Sequence, residues 1–125
     1  MKSVPTMFFA TGAFFALLGM VWGIQMSATG DHSLSPAHGH LNLVGFVTMS
    51  IMGIYYALTP AAATSKWAKA HYFLTVVSVV ILVLGIVMAL SENGAVLAKA
   101  GSILAVLSTL IFLAIILKFG FGEKA

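Results

Sequence analysis

The chain has 125 residues, of which 61% are hydrophobic and only 7% are charged, and its mean hydropathy is +1.09. Soluble domains carry about 25% charged residues, so this composition excludes an ordinary soluble protein and predicts an integral membrane protein. Its six lysines outnumber the three acids but form no basic stripe, which argues against a nucleic-acid binder.

The sequence contains no cysteine. This excludes disulfides, cysteine-ligated iron–sulfur clusters and a haem attached through thioether bonds. Any haem would have to be held by histidine or methionine without a covalent link.

Four segments are long and apolar enough to span a bilayer, which takes about 20 residues. They cover residues 5–27, 37–59, 70–90 and 96–118. Lys2 before the first apolar run is a feature of signal peptides. We do not expect one here, because the run is too long and Met26 occupies a position where a cleavage site has a small residue. Short connections make consecutive helices antiparallel neighbours. We therefore predict one all-α domain over residues 1–125, a membrane four-helix unit.

The lysines predict the orientation, because cytoplasmic segments of membrane proteins are enriched in basic residues. One side carries five lysines, namely Lys2, Lys66, Lys69, Lys118 and Lys124. The other side carries only Lys99. Both termini should be cytoplasmic and the first loop should face outward. The predicted location is a bacterial inner membrane, with lipid around the helices.

The first helix carries small residues on one face, which lets a neighbouring helix or a flat cofactor approach closely. They are Gly12, Ala16, Gly19 and Gly23. Trp22 and Trp67 lie near helix ends, as interfacial aromatic residues do.

Two of the four histidines, His38 and His40, open the second helix just after Pro36. Ionisable side chains at membrane depth are costly, so each raises a functional hypothesis. Positions i and i+2 of a helix point about 200° apart. One iron therefore cannot use both from a single straight helix, whereas two sites flanking the helix could.

The two faces of the second helix differ. Below His38 lie Asn42, Gly45, Met49, Met52 and Tyr56, and below His40 lie Leu43, Val44, Val47, Ile51 and Ile54. Gly45 comes seven residues after His38, almost directly beneath it, and leaves a bare backbone patch. A porphyrin edge could rest there, or the face could serve ordinary helix packing.

The run His38-Gly-His40-Leu-Asn-Leu-Val-Gly45-Phe resembles the haem-ligating helices of the haem–copper oxidase superfamily main subunit, found in cytochrome c oxidases and nitric oxide reductases. That subunit has twelve helices in three arcs of four, and this chain resembles one arc. The resemblance implies non-covalent haem b, with His38 and His40 as axial ligands and Asn42 and Gly45 beside the porphyrin. Family members pair haem propionates with arginines; here Lys99 is the cation on the matching side.

The departures from this family are informative. The His-Pro-Glu-Val-Tyr segment of its copper site is missing, and no acid or lysine lies mid-membrane. Both absences argue against a proton-pumping oxygen reductase. They favour a small b-type cytochrome that transfers electrons, with its redox partner left open.

Other functions remain open at this stage. A haem with one free iron position would bind NO or O2. Copper could be held by His38 or His40 with His32 and Met26. The chain could also be a non-redox accessory subunit of a membrane complex.

A six-coordinate haem needs two ligands that face each other, and the remaining helices offer no histidine at that depth. If three chains rebuild the oxidase-like ring, His38 of one protomer meets His40 of the next across a haem. We therefore predict a homotrimer with interfacial haems. The alternative is ligation within one chain by histidine and a methionine, from Met20, Met26 or Met88.

His71 opens the third helix, roughly 30 Å from the other histidines. It is expected at the lipid surface. Tyr55, Tyr56 and Tyr72 are expected to form an aromatic belt at the same membrane face.

Overall fold

The computed structural model describes residues 3–122, which form four long helices and no strand. Helix α1 spans Val4–Thr29, α2 spans Ser35–Leu58, α3 spans Lys66–Leu90 and α4 spans Val96–Phe119. Each is long and apolar enough to cross a membrane. The predicted all-α membrane fold is therefore confirmed. Helix α3 starts earlier than predicted because its first turn carries lysines, which a search for apolar residues passes over.

The connections define the two ends of the bundle. The α1–α2 and α3–α4 connections form one end, here named the histidine end because His32, His38 and His40 lie there. The opposite end, named the terminal end, holds the start of α1, the end of α4 and the α2–α3 connection, which includes a helical turn at Pro60–Ala63. Lys2 and Lys124, two of the lysines used to predict orientation, lie outside the described residues.

Local sequence signals set the limits of α1. The Ser3 side chain accepts a hydrogen bond from the Thr6 amide at 3.4 Å, and Pro5 lies in the first turn, where its missing N–H costs nothing. The helix ends at Gly30, whose φ of 70° is left-handed and whose N–H donates to the Met26 carbonyl. Glycine adopts this conformation without strain.

Glycines set the closest helix contacts. A Cβ on Gly101 of α4 would lie 2.5 Å from the Cα atom of Leu82 in α3, and one on Gly85 would overlap the backbone of Ala98. In α1, Gly12 faces Ser50, Gly19 faces Asn42 and Gly23 faces His38. The small-residue face of α1 is thus confirmed as the surface that packs against a neighbouring helix, α2.

Large apolar side chains cover the outside of the bundle, as expected for helices in contact with lipid. Examples are Ile24, Ile51, Leu84 and Leu117, which are 70%, 56%, 53% and 76% exposed. The interior is filled by fully buried side chains that include Phe8, Met49, Tyr56 and His71.

Candidate functional site

His40 is exposed near the start of α2 and is oriented by its own helix. Its Nδ1 atom lies 2.7 Å from the carbonyl oxygen of Pro36, one turn earlier. A carbonyl oxygen only accepts, so Nδ1 carries the hydrogen and Nε2 keeps its lone pair. Histidines that bind metals commonly have this arrangement, in which the second nitrogen donates to a carbonyl or carboxylate.

His38 points the other way, into the contact between α2 and α1. Its Nε2 atom lies 2.9 Å from the carbonyl oxygen of Gly19, and its ring meets Trp22 edge to face at 5.9 Å. Nε2 must therefore carry the hydrogen, and the nearby Asn42 amide donates instead to the His38 carbonyl at 3.0 Å. The two histidines do lie on opposite sides of α2, as the spacing predicts. Within one chain, the Nε2 atom of His38 is already engaged.

The backbone departs from α geometry directly after the two histidines. Residues Leu41–Thr48 form a π-helix, a form that usually appears as a single turn and often at functional sites. Side chains near the two ends of this segment donate to backbone carbonyls: the Asn42 amide bonds the His38 carbonyl, and the Thr48 hydroxyl bonds the Leu43 carbonyl at 2.9 Å. Such bonds compete with the normal backbone ladder. The sequence analysis did not predict this segment.

The two predicted faces of α2 persist through the π-helix. The face below His38 is buried at Gly45, Met49, Met52 and Tyr56, whereas the face below His40 is exposed at Leu43, Val47, Ile51 and Ile54. One detail is wrong: Gly45 is not a bare patch. A Cβ there would lie 3.0 Å from the Phe15 ring, so Phe15 of α1 already covers this backbone.

A groove between α2 and α4 begins one turn below His40. It has a volume of about 500 Å³ and is lined by Val44 and Thr48 from α2 and by Ala105, Val106, Thr109, Leu110 and Leu113 from α4. Lys99 is exposed and lies seven residues before Val106. Seven residues are close to two helical turns, so Lys99 lies on the same face, roughly 10 Å nearer the histidine end.

The residues considered for copper differ in their burial. His32 is exposed, with Nδ1 3.3 Å from the carbonyl oxygen of Gly30, while Met26 is buried at 5% exposure. Within residues 3–122, no group of three or more His, Cys, Asp or Glu side chains could hold a metal ion. Beside His32, the amide of Ser33 donates to Asp31 at 3.0 Å and lowers the pKa of that carboxyl below its ordinary value.

The expected position of His71 at the lipid surface is wrong. Its side chain is fully buried, its Nδ1 atom lies 2.8 Å from the Tyr56 hydroxyl, and its ring stacks on Phe112 at 5.3 Å. Tyr55 and Tyr56 are buried as well, so they form no belt; Tyr72 is half-buried and bonds Thr11.

A sequence signal for this buried cluster existed. Thr75 and Ser78 follow His71 at four and seven residues, which places all three on one face of α3. Both are buried and hydrogen-bonded, Thr75 to Ser108 at 2.6 Å. A polar face on an apolar membrane helix points inward, and His71 belongs to it.

The predicted site residues thus fall into two groups. His38, Asn42 and Gly45 pack against α1, whereas His40 and Lys99 lie one and two helical turns beyond the open groove between α2 and α4, towards the histidine end. Comparison of the chain with protein-family models, curated proteins and solved structures finds no match.

Proposed function

We propose that this protein is a small membrane b-type cytochrome in which His40 binds the iron of a non-covalently held haem. The observation that carries the proposal is the bond between His40 Nδ1 and the Pro36 carbonyl, which leaves Nε2 of this exposed side chain available, one turn above the groove that begins at Val44. The resemblance to the haem–copper oxidase helix, with one iron ligand on each side of a His-x-His pair, supports the same role.

The groove between α2 and α4 suits a porphyrin. Its volume of about 500 Å³ lies within the range of small-molecule sites, which are mostly apolar with a few polar groups. Val44, one turn after His40, would contact the ring below the iron. Lys99, nearer the membrane surface on the α4 side, would pair with the propionates. The absence of cysteine agrees with a haem held without thioether bonds.

The haem would supply a one-electron couple, and the chain would hold and orient it at one membrane face. Neutral imidazole is a common axial ligand, and two such ligands serve electron transfer. In a homotrimer, the second ligand would be His38 of the neighbouring protomer. His38 would then have to exchange its bond to Gly19 for the iron.

The orientation with cytoplasmic termini in a bacterial inner membrane belongs to this proposal, as does an unidentified redox partner.

One observation favours a second function, the binding of NO or O2. Because His38 Nε2 is engaged with Gly19 in the single chain, His40 would be the one histidine holding a haem there, and the iron would remain able to bind a further ligand. A haem held in this way would supply the chemistry for binding NO or O2. Copper binding and a cofactor-free accessory role have no comparable observation in their favour.

The visible spectrum of the protein purified with added haem tests the proposal. We expect a Soret band with sharp reduced α and β bands in the wild type, and their loss in His40→Ala. His32→Ala is the matched control, since His32 is also exposed at the histidine end but lies away from the groove. A colourless wild type, or a spectrum untouched by His40→Ala, would refute the assignment.

A further inference from the structure

The terminal end of the bundle holds a polar atom that the haem proposal does not use. The Nε2 atom of His71 is buried and has no hydrogen-bond partner among residues 3–122. An unpaired polar atom in the interior destabilises the folded state, because it has lost its hydrogen bonds to water without replacement. Native proteins keep few such atoms, and each calls for an explanation.

The other side of the ring determines what Nε2 can do. The Tyr56 hydroxyl lies 2.8 Å from Nδ1 and is fully buried, with His71 as its recorded partner. When Tyr56 donates to Nδ1, the tyrosine hydrogen is satisfied and the imidazole hydrogen lies on Nε2. The Nε2–H group of His71, which has no partner, is then a hydrogen-bond donor, and a carbonyl oxygen is a suitable acceptor for it.

His71 lines a second groove, between α3 and α4, with a volume of about 430 Å³. The remaining lining is mostly apolar: Trp67, Ala70, Leu74, Ile111, Ala114, Ile115 and Lys118. Ala70 and Ala114 are small and exposed, so the groove is open to lipid along its length. Lys118 and Trp67 lie together at the terminal end, with the ammonium 5.9 Å from the indole ring.

The ligand must bring a polar oxygen to an imidazole within an apolar groove. A phospholipid fits less well, because its phosphate and its ester carbonyls stay at the membrane interface and the acyl chains below them are wholly hydrocarbon. His71 comes five residues after the start of α3, roughly 7 Å along the helix, so the groove reaches below the membrane surface. A flat apolar ring that carries oxygens and a hydrocarbon tail meets these conditions.

We propose that this groove binds the ring of a membrane quinone, with one ring carbonyl accepting a hydrogen bond from His71 Nε2. The ring lies between Leu74 and Ile111, and the apolar tail runs along α3 and α4 into the lipid. The site is separate from the haem groove, which lies between α2 and α4, and does not depend on the haem proposal.

Tryptophan fluorescence tests this proposal, because Trp67 lines the groove and quinones quench indole emission. The Trp22→Phe variant leaves Trp67 as the single reporter. In phosphatidylcholine nanodiscs, titration with a decyl-tailed quinone should give saturable quenching. His71→Phe removes the donor and should weaken the apparent affinity about tenfold. Trp67→Phe, which keeps Trp22, should show only the linear quenching caused by quinone dissolved in the bilayer.

A second pair of variants keeps the test valid if His71→Phe folds poorly. Ala114→Leu fills the groove without changing the imidazole and should abolish saturable quenching. Ala100→Leu is its control, because it adds the same bulk at an exposed position of α4 outside the groove, and it should retain saturable quenching. Linear quenching in every variant would overturn the proposal. So would displacement of the quinone by phosphatidylglycerol in the parent protein but not in Lys118→Gln, which would identify an anionic-lipid site instead.

Discussion

The Nε2 atom of His38 donates to the carbonyl oxygen of Gly19 at 2.9 Å, so the first of the two paired histidines connects α2 to α1. His40, two residues later, has its Nε2 exposed on the other side of the helix. The i, i+2 spacing therefore separates one imidazole that holds the bundle together from one that is available for a ligand.

This difference predicts different results for the two alanine variants. His40→Ala should lose the haem, because the exposed ligand is gone. His38→Ala should retain haem but change from a low-spin to a high-spin spectrum if His38 of a neighbour is the second ligand. If His38 instead keeps its bond to Gly19, the variant should lose about 1 kcal/mol of stability with that bond and its haem spectrum should not change. Absorption spectra and thermal denaturation in detergent measure both effects. Equal loss of haem in the two variants would contradict this division of roles.

Glycine at position 101 should be essential for the packing of α3 against α4. A Cβ added there would lie 2.5 Å from the backbone of Leu82, which cannot move without separating the helices. We expect Gly101→Ala to destabilise the protein by about 1–3 kcal/mol. Unfolding by SDS in mixed micelles provides the measurement.

Gly39→Ala is the matched control for this prediction. A Cβ on Gly39 meets no atom within 4 Å, and alanine favours a helix over glycine by about 1 kcal/mol. The control should unfold at the same or a higher SDS fraction than the wild type. If Gly101→Ala is no less stable than Gly39→Ala, the two helices do not approach as closely as the structure indicates.

Much of the fold could be predicted because membrane helices are specified by length and hydropathy, both local in the sequence. The small-residue face of α1 was also predictable, since Gly12, Gly19 and Gly23 repeat at helical spacing. The equally close contact between α3 and α4 at Gly85 and Gly101 was not predicted, because each helix holds only one of the two glycines. Two glycines on separate helices give no periodic pattern in the sequence. Whether they meet depends on the register in which the two helices pack.

The candidate site was predictable in part for the same reason. The opposite directions of His38 and His40 follow from helix geometry alone. The burial of Gly45 under Phe15 and of His71 against Tyr56 depends on which neighbour covers each face, which the local sequence does not encode. His71 was misplaced because a histidine near Lys69 suggests the membrane surface, whereas the polar spacing through Thr75 pointed inward.

The bond between Tyr56 and His71 should show strong coupling. Tyr56→Phe removes the partner of a buried imidazole nitrogen and should cost about 1–3 kcal/mol. The double variant Tyr56→Phe/His71→Phe replaces both polar groups, so it should be more stable than the sum of the single losses indicates. A double-mutant cycle of unfolding free energies measures the coupling. Additive losses would mean that the two side chains do not depend on each other.

The lysine distribution predicts that Ser33 and Lys66 lie on opposite sides of the membrane, with Ser33 outside. The natural sequence has no cysteine, so single cysteines can be introduced without a background. Ser33→Cys should react with a membrane-impermeant maleimide in intact cells, and Lys66→Cys only after permeabilisation. Ile51→Cys, which lies on the lipid-facing side of α2, should react in neither case. Labelling of Ser33→Cys and Lys66→Cys from the same side would contradict the four-helix topology.

The last prediction concerns assembly. In the proposed homotrimer, each interface uses His38 of one protomer and His40 of the next, and a head-to-tail ring of three closes without free ends. Native mass spectrometry in detergent should therefore find three chains with about one haem each. Mixing His38→Ala and His40→Ala chains gives a sharper test. Where a His40→Ala chain contributes His38 and a His38→Ala chain contributes His40, the ligand pair is intact, and the low-spin spectrum should return in part. A site within one chain cannot be restored in this way, so a mixture without low-spin signal, or a haem-loaded monomer, would rule out the interfacial haem. Met20, Met26 and Met88 would then be the remaining candidates for the second ligand.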